Sequence, residues 1–437
     1  MKKSSKLLSV SLVTTLIAGM MAIPAAAAGN YTAVAAQNTS FDKYLLVEKD
    51  EKAPGLTFTY DFAAGTAIAP TATTLQVYPG VITGGKPSAT VSFSDSDAAE
   101  GTSLNANYTT YKKTVNVDFS GITFSEPGVY RYIITEDNNA GAGVFYDVDP
   151  TDPTDATAYG DRTRTLDVYV EDDESTAAKD LIVTSYVMYN GTVTTAPPSS
   201  SASQGTALTA ATPVVSPASP TNGQEADGAT KTDRIVNYFK SYSITFGKEV
   251  TGNQGSKDKY FAFTLKLTSP VDGEATVDLS LADPAAGTND ATTVSGSNAP
   301  SITLTANTEV STVFYLQDGQ YITVTGLPEG TKYELSEAAE GYTSTEGITA
   351  ANSSIDFDGD STNDALTDPV SNTTGITADV RTGFTNDKQG IIPTGVLVKV
   401  APVIGIGLVV IAGVIFFAVI SMRNKDQEDL ETETAEK

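Results

Sequence analysis

Tyr130-Arg131-Tyr132-Ile133-Ile134-Thr135-Glu136 alternates aromatic or aliphatic residues with others and ends on an acid. Alternate residues on a strand share a face, so Tyr130, Tyr132, Ile134 and Glu136 form one row, with Arg131 and Thr135 on the other. The same period of two runs through Leu56, Phe58, Tyr60 and Phe62, through Val115, Val117 and Phe119, and through Phe261, Phe263, Leu265 and Leu267. Clusters of Gly, Asn, Asp and Ser separate these runs, and the body shows no helical period. The expected fold class is all-β, two tandem immunoglobulin-like β-sandwich domains.

Outward from that stretch, a weak internal repeat appears. One half runs from Phe41-Asp42-Lys43 through Glu136 to Ile235-Val236-Asn237, and the other from Phe246-Gly247-Lys248 through Glu337 to Phe384-Thr385-Asn386. Each half carries Lys, Glu and Asn in that order, with similar Lys-to-Glu separations of roughly one sandwich of chain. Parity places all six on inward rows. Phe41, Lys43, Leu45 and Val47 share a face, as do Ile235, Asn237 and Phe239, and Tyr242, Ile244, Phe246 and Lys248. Tyr333, Leu335 and Glu337 form another such row, with Glu334 outward, and Ile376, Ala378, Val380, Phe384 and Asn386 the last, with Asp379 and Arg381 outside. Lys49 shares the parity of Lys43 and competes with it.

Composition narrows the chemistry. The 437 residues include no Cys, no His and no Trp, which excludes Cys/His nucleophilic sites, Ser-His-Asp triads, disulfides and structural zinc. With 27 basic against 53 acidic residues the formal charge is -26, so nucleic acid is not an expected partner, and the acidic surplus reads as solvated surface. No metal or cofactor is expected. Asp356 to Asp364 is rich in oxygen ligands, but its glycine is misplaced for a calcium loop and a solvated turn is the expectation. Asp149 and Asp152 lack the aromatic platform of a glycosidase, and no enzyme acting on an external substrate is expected.

The ends set the compartment. Residues 1–28 have basic Lys2, Lys3 and Lys6, an apolar run and a small-residue finish, the layout of a secretory signal peptide. Residues 396–420 are long enough to span a bilayer, and Arg423 and Lys425 hold the tail, 421–437, in the cytoplasm. The body between them divides into a sandwich over 29–240, with a Ser/Thr/Pro-rich insertion at about 192–233 expected as a solvated loop, and a second over 241–390. A secreted body without cysteine must resist unfolding and proteolysis without disulfides.

Lone buried Lys or Glu is costly, whereas Lys, Glu and Asn in contact satisfy one another. Burial favours the neutral amine and the protonated acid. A neutral amine held against a carboxamide is a nucleophile at its target, and a nearby acid can polarise the carbonyl and relay protons as ammonia leaves. The product is an intramolecular Lys-Asn isopeptide bond.

On these residues, with the Tyr-x-x-Thr/Ser-Glu segments ending at Glu136 and Glu337, the chain resembles the sortase-assembled major pilins of Gram-positive bacteria, of the streptococcal T-antigen or FctA type. The resemblance implies cross-links of Lys43 with Asn237, assisted by Glu136, and of Lys248 with Asn386, assisted by Glu337. Ile391-Ile392-Pro393-Thr394-Gly395, just before the apolar span, resembles a cell-wall sorting signal, although Pro393 abuts Thr394 without the usual spacer. That likeness implies cleavage by sortase between Thr394 and Gly395. It also implies Lys231 as the acceptor lysine on the next subunit, with Lys240 and Lys179 as alternatives. The expected partners are sortase, identical subunits, tip and base pilins and peptidoglycan, with a host surface ligand as a further one. The expected location is a wall-anchored surface pilus reached through a membrane-bound precursor. The expected role is a shaft subunit, and the alternative is a monomeric wall-anchored adhesin of the same fold.

Overall fold

The computed structural model describes residues 31–155, 160, 162–173, 180–197, 231–281, 300–356 and 360–390. The expected leader, sorting motif, apolar span and cytoplasmic tail lie outside these, as do Lys179 and most of the Ser/Thr/Pro-rich stretch. Among the described residues no helix is long and apolar enough to cross a membrane.

Within the larger contact unit, which ends at Asn386, the strands form two successive sheet pairs. In the first, one sheet has the order Leu181–Asn190, Thr163–Asp172, Gly128–Glu136, Leu56–Ala64, Ala89–Phe93, and the other the order Tyr108–Val117, Thr39–Glu48, Arg234–Phe239, Val144–Phe145. Phe41, Leu45, Val115 and Ile235 from the smaller sheet meet Phe58, Phe62, Tyr132, Ile134 and Val168 from the larger in one continuous core. In the second pair, the order Ser301–Leu304, Gly273–Leu281, Gln320–Pro328, Ser241–Thr251, Val380–Asp387, Thr343–Glu346 faces the order Glu309–Leu316, Phe261–Thr268, Lys332–Glu337, Ser371–Asn372. Ile244, Phe246 and Val324 pack there on Phe263, Leu265, Phe314 and Leu335. The molecule is thus all-β, with two tandem sandwiches. In the smaller unit, Lys388 N donates to Thr251 O at 3.1 Å and Gln254 N to Lys388 O at 3.0 Å.

Both sandwiches close by pairing their first long strand with their last, and the two run parallel. Thr39–Glu48 and Arg234–Phe239 pair in parallel, with Lys43 opposite Ile235 and Leu45 opposite Asn237. In the second, Ser243 N bonds Asp379 Oδ1 and Lys248 Nζ approaches the Phe384 carbonyl at 3.4 Å, so the contacts advance in step along the chain. Close approach there depends on Gly383, where a Cβ would lie 2.7 Å from the Gly247 carbonyl oxygen.

Three expectations need correction. Ala378 is exposed, because the last strand begins only at Val380 and the residues before it do not continue its alternation. The polar insertion is not solvated at its edges. Val193 and Thr232 are buried, and the Val193 and Thr195 carbonyls accept from Arg131 Nη1 at 3.0 and 2.8 Å. The acidic surplus is not wholly on the surface, since Asp147 and Asp167 are buried against arginines.

The Arg131 fork explains the second correction. Arg131 lies on the face of Gly128–Glu136 turned away from the core, and there it grips Asp167 with Nε and Nη2, each at 2.7 Å. A smaller cluster of Val77, Val129, Tyr169 and Tyr189 covers the same face, so the ion pair is sealed from water. Removing one partner of such a pair leaves a buried uncompensated charge. Asp167→Ala should therefore destabilise the N-terminal sandwich by about 3–5 kcal/mol, seen as a lowered midpoint in guanidinium unfolding. Arg131→Met/Asp167→Leu should recover most of the loss; equal damage from single and double changes would contradict this account.

Candidate functional site: two buried Lys, Glu and Asn sets

Each sandwich core holds a lysine, and both are there for the same reason. Lys43 follows Phe41 and precedes Leu45 on the inward row of its strand; Lys248 follows Phe246 on its own. Both side chains are completely buried, and each amine meets a glutamate supplied by the facing sheet. Lys43 Nζ lies 2.5 Å from Glu136 Oε1, and Lys248 Nζ lies 2.7 Å from Glu337 Oε1. An aromatic ring from the facing sheet forms the floor beneath each amine, with Nζ 4.6 Å from the Phe58 centroid and 4.5 Å from that of Phe261.

Burial and pairing pull in opposite directions on these amines. Desolvation lowers Lys43 to about 8, against the Glu136 carboxylate, which holds it up. Desolvation likewise lowers Lys248 to about 8, opposed by its hydrogen bond to Glu337. In both cases loss of water outweighs the neighbouring carboxylate. The neutral amine is therefore far more accessible here than on a solvated lysine.

The asparagines arrive on the last strands. Asn386 is fully buried and donates from Nδ2 to Glu337 Oε1 at 2.9 Å, so a single carboxylate oxygen touches both Asn386 and Lys248. Ser344 Oγ donates to the other oxygen, Glu337 Oε2, at 2.9 Å. Asn237 is also fully buried and lies two residues beyond the register partner of Lys43. Asn386 stands two residues beyond Phe384, the carbonyl that Lys248 approaches, so the two sets share one plan. In each, Lys and Asn sit on adjacent parallel strands of one sheet and Glu on the other.

The first set has its own surroundings. Tyr60 is the register partner of Glu136, and burial together with the Glu136 carboxylate raises its phenol well above 10. The equivalent register partner of Glu337 is Phe263, which has no hydroxyl. Asn237 Oδ1 accepts from the Asp147 main-chain N–H at 2.9 Å, and Asn237 Nδ2 has no hydrogen-bond partner among the described residues. Asp147 in turn is forked by Arg164, through Nη1 at 2.9 Å and Nη2 at 2.5 Å.

Strand parity signals the aromatic floors and Tyr60, since they lie on rows already assigned inward. Asp147 gives no such signal, because it acts through its backbone from a short connection. Lys49 is 60 % exposed beside Asp50, so it does not contend with Lys43 for the core. Lys231 bridges to Tyr189 just before the last strand of the first sandwich, its Nζ 5.9 Å from the Tyr189 ring centroid. In the acidic turn, Asp360 Oδ1 accepts from Thr362 N at 2.8 Å, and Ser361 N donates to Asp356 Oδ2 at 3.0 Å. Among the described residues no cluster of acids has the arrangement of a metal site.

Residues 81–204 match the FctA family, described as a Spy0128-like isopeptide containing domain, and residues 242–388 match a domain of unknown function, DUF7601. A curated protein from Streptococcus pyogenes serotype M1, named Pilin, is 26% identical over 310 residues, covering 70% of this chain and 71% of that protein. The crystal structure of the major pilin from Streptococcus pyogenes aligns with 82% of this chain and 100% of its own, at 21% identity and a TM-score of 0.48. The T-13 major pilin of S. pyogenes serotype GAS131465 aligns with 82% of this chain and 98% of its own, at 23% identity and a TM-score of 0.45. Residues 81–204 thus match an FctA-type isopeptide containing domain, and the chain is similar over most of its length to the streptococcal Pilin.

Proposed function

We propose that this protein is the repeating structural subunit of a surface pilus, strengthened by self-formed amide bonds from Lys43 to Asn237 and from Lys248 to Asn386. One observation carries the reading: an amine, a carboxylate and a carboxamide, all buried, recur in the same arrangement at the closing strand pair of each sandwich. The match to an isopeptide domain family and the similarity to a streptococcal Pilin support it.

Within each ion pair the ammonium passes a proton to the carboxylate, leaving a neutral amine beside a protonated acid. The amine nitrogen attacks the asparagine Cγ, the new C–N bond forms, and the acid shares its proton with the carboxamide oxygen. The proton lost from the lysine nitrogen reaches Nδ2 by way of the glutamate. The Cγ–Nδ2 bond then breaks, ammonia leaves, and the glutamate stays protonated beside the neutral amide. Fixed geometry replaces the bimolecular encounter, and the protein is a structural one that acts only on itself.

Assembly would use the remaining expected features. Sortase would cleave between Thr394 and Gly395 and hold Thr394 as an acyl donor, and Lys231 of the next subunit would accept it. Mature subunits would then stand outside the membrane on peptidoglycan.

The intact mass of the secreted body should be short by two ammonia molecules. Asn237→Ala or Glu136→Ala should each be short by one, and Asn237→Ala/Asn386→Ala by none; an unshifted wild-type mass would overturn the chemistry. Rate against pH makes a second check. The ion pair and the reactive neutral pair hold the same number of protons, so their ratio does not change with pH. Bond formation should be level below about 8, where Lys43 and Lys248 titrate. Above that pH it should fall, because the pair has lost the proton that makes the glutamate an acid. A rate that climbs steadily through pH 9 would remove the acid from the mechanism. For assembly, wall extracts should show SDS-resistant ladders that Lys231→Ala abolishes. A single anchored band from the wild-type chain would favour the monomeric adhesin.

A further inference from the structure

The two sets differ in how the carboxamide oxygen is held. Asn386 turns its Nδ2 to Glu337, and its Oδ1 has no hydrogen-bond partner among the described residues. Asn237 has the opposite orientation. A main-chain N–H can only donate, so the atom 2.9 Å from Asp147 N must be the carbonyl oxygen, which leaves Nδ2, the leaving nitrogen, unbonded.

That donor is available because residue 147 departs from the strand that precedes it. Val144 and Phe145 pair with Phe239 and Tyr238, and Val148 N bonds Val236 O at 2.9 Å. Between them Asp147 has φ +50, in the left-handed region, and its N–H points to a side chain instead of the neighbouring backbone. Two contacts hold this turn: Arg164 forks the buried carboxylate, and Gly160 N donates to Asp147 O at 2.7 Å. A Cβ at Gly160 would overlap the same carboxylate, so that close approach requires glycine.

We infer that the Asp147 main-chain N–H is a built-in oxyanion donor for the Lys43–Asn237 reaction, and that Arg164 and the Asp147 carboxylate are positioning groups that aim it. The inference rests on the isopeptide reading given above. As Lys43 Nζ adds to Asn237 Cγ, the C=O electron pair moves onto Oδ1, where the N–H already stands. The tetrahedral centre then collapses, the Cγ–Nδ2 bond breaks, and ammonia departs with the proton delivered through Glu136. Among the described residues the C-terminal set has no matching main-chain donor on Asn386 Oδ1, which makes its reaction an internal control in the same chain.

The test follows both bonds with time in full-length chain made by cell-free synthesis, reading the ammonia-deficient Lys43–Asn237 and Lys248–Asn386 peptides by mass. In an Arg164→Met background, which leaves no orphaned guanidinium, Asp147→Ala should slow the first bond by about 10²–10³-fold, the usual effect of losing one oxyanion donor. The second bond should keep its rate. Asp147→Gly in the same background lacks the same ion pair but adopts positive φ freely, so it should recover most of that rate. Equal rates for the Gly and Ala chains, whether slow or normal, would show that the left-handed turn at residue 147 does not aim a donor. Folding failure is covered by a second measurement on the unreacted Glu136→Ala chain, labelled at Asp nitrogen and Asn Cγ. A scalar coupling across the Asp147 N–H to Asn237 hydrogen bond is expected, and its absence would overturn the inference. If the wild-type chain forms no Lys43–Asn237 bond, the parent reading fails instead.

Discussion

Each sandwich is closed by a lysine amine that has been taken out of water and set against a glutamate from the opposite sheet. An ammonium in that position is tolerated only because the carboxylate and the aromatic ring face it, and even so its proton is held more loosely than in solution. Much of the surrounding construction serves this one requirement. The first and last strands must be neighbours so that Lys and Asn share a sheet. They must also run parallel, in a register that places the asparagine two residues beyond the lysine's opposite number. Glycine at 383 permits that approach in the second sandwich. Under the proposed chemistry, the Lys–Glu ion pair that is costly in a core is a precursor whose cost is removed when its charges are consumed as the neutral amide forms.

The period of two was enough to place Lys43, Glu136, Asn237, Lys248, Glu337 and Asn386 on inward rows, because a strand buried on one face displays its parity directly. The rule failed where a residue was not on a strand, as with Ala378, or where both faces of a sheet were covered. Arg131 belongs to the outer row of its strand yet is buried, since a second small core and the chain around Val193 close over it. Asp167, its partner, reads in sequence as one more acid on a strand. Asp147 was illegible for a different reason: its contribution is a backbone N–H turned by a left-handed φ, which no side-chain pattern records.

Under the proposed chemistry, the two sets surround one reaction in two ways. The C-terminal set relies on Glu337 for both amine and carboxamide, with Ser344 occupying its second oxygen. The N-terminal set divides the work: Glu136 faces the amine and the phenol of Tyr60, while the carboxamide oxygen is held by the Asp147 backbone. A shared plan of strands therefore fixes which groups meet, while the connections between strands decide how each carbonyl is oriented.

Under the proposed assembly, the parallel pairing also determines what the bonds do mechanically. Tension entering the second sandwich beyond Asn386 pulls the last strand forward while the first strand is held from Ser241, its beginning. Parallel neighbours loaded in that way are sheared along their length, and hydrogen bonds between them would share the load until they parted together. A Lys248–Asn386 amide lies near the point where force enters and diverts it into the first strand before the rest of the sandwich is strained. From there the path runs back through Ser241 and the last strand of the first sandwich to Lys231, which lies upstream of Asn237. The Lys43–Asn237 bond then stands beside that path, joining it to a first strand that carries no load, and its contribution is resistance to unfolding and proteolysis. A disulfide could bear the same tension, but it would fail in a reducing environment; an amide formed from Lys and Asn does not depend on redox state, which suits a chain containing no cysteine.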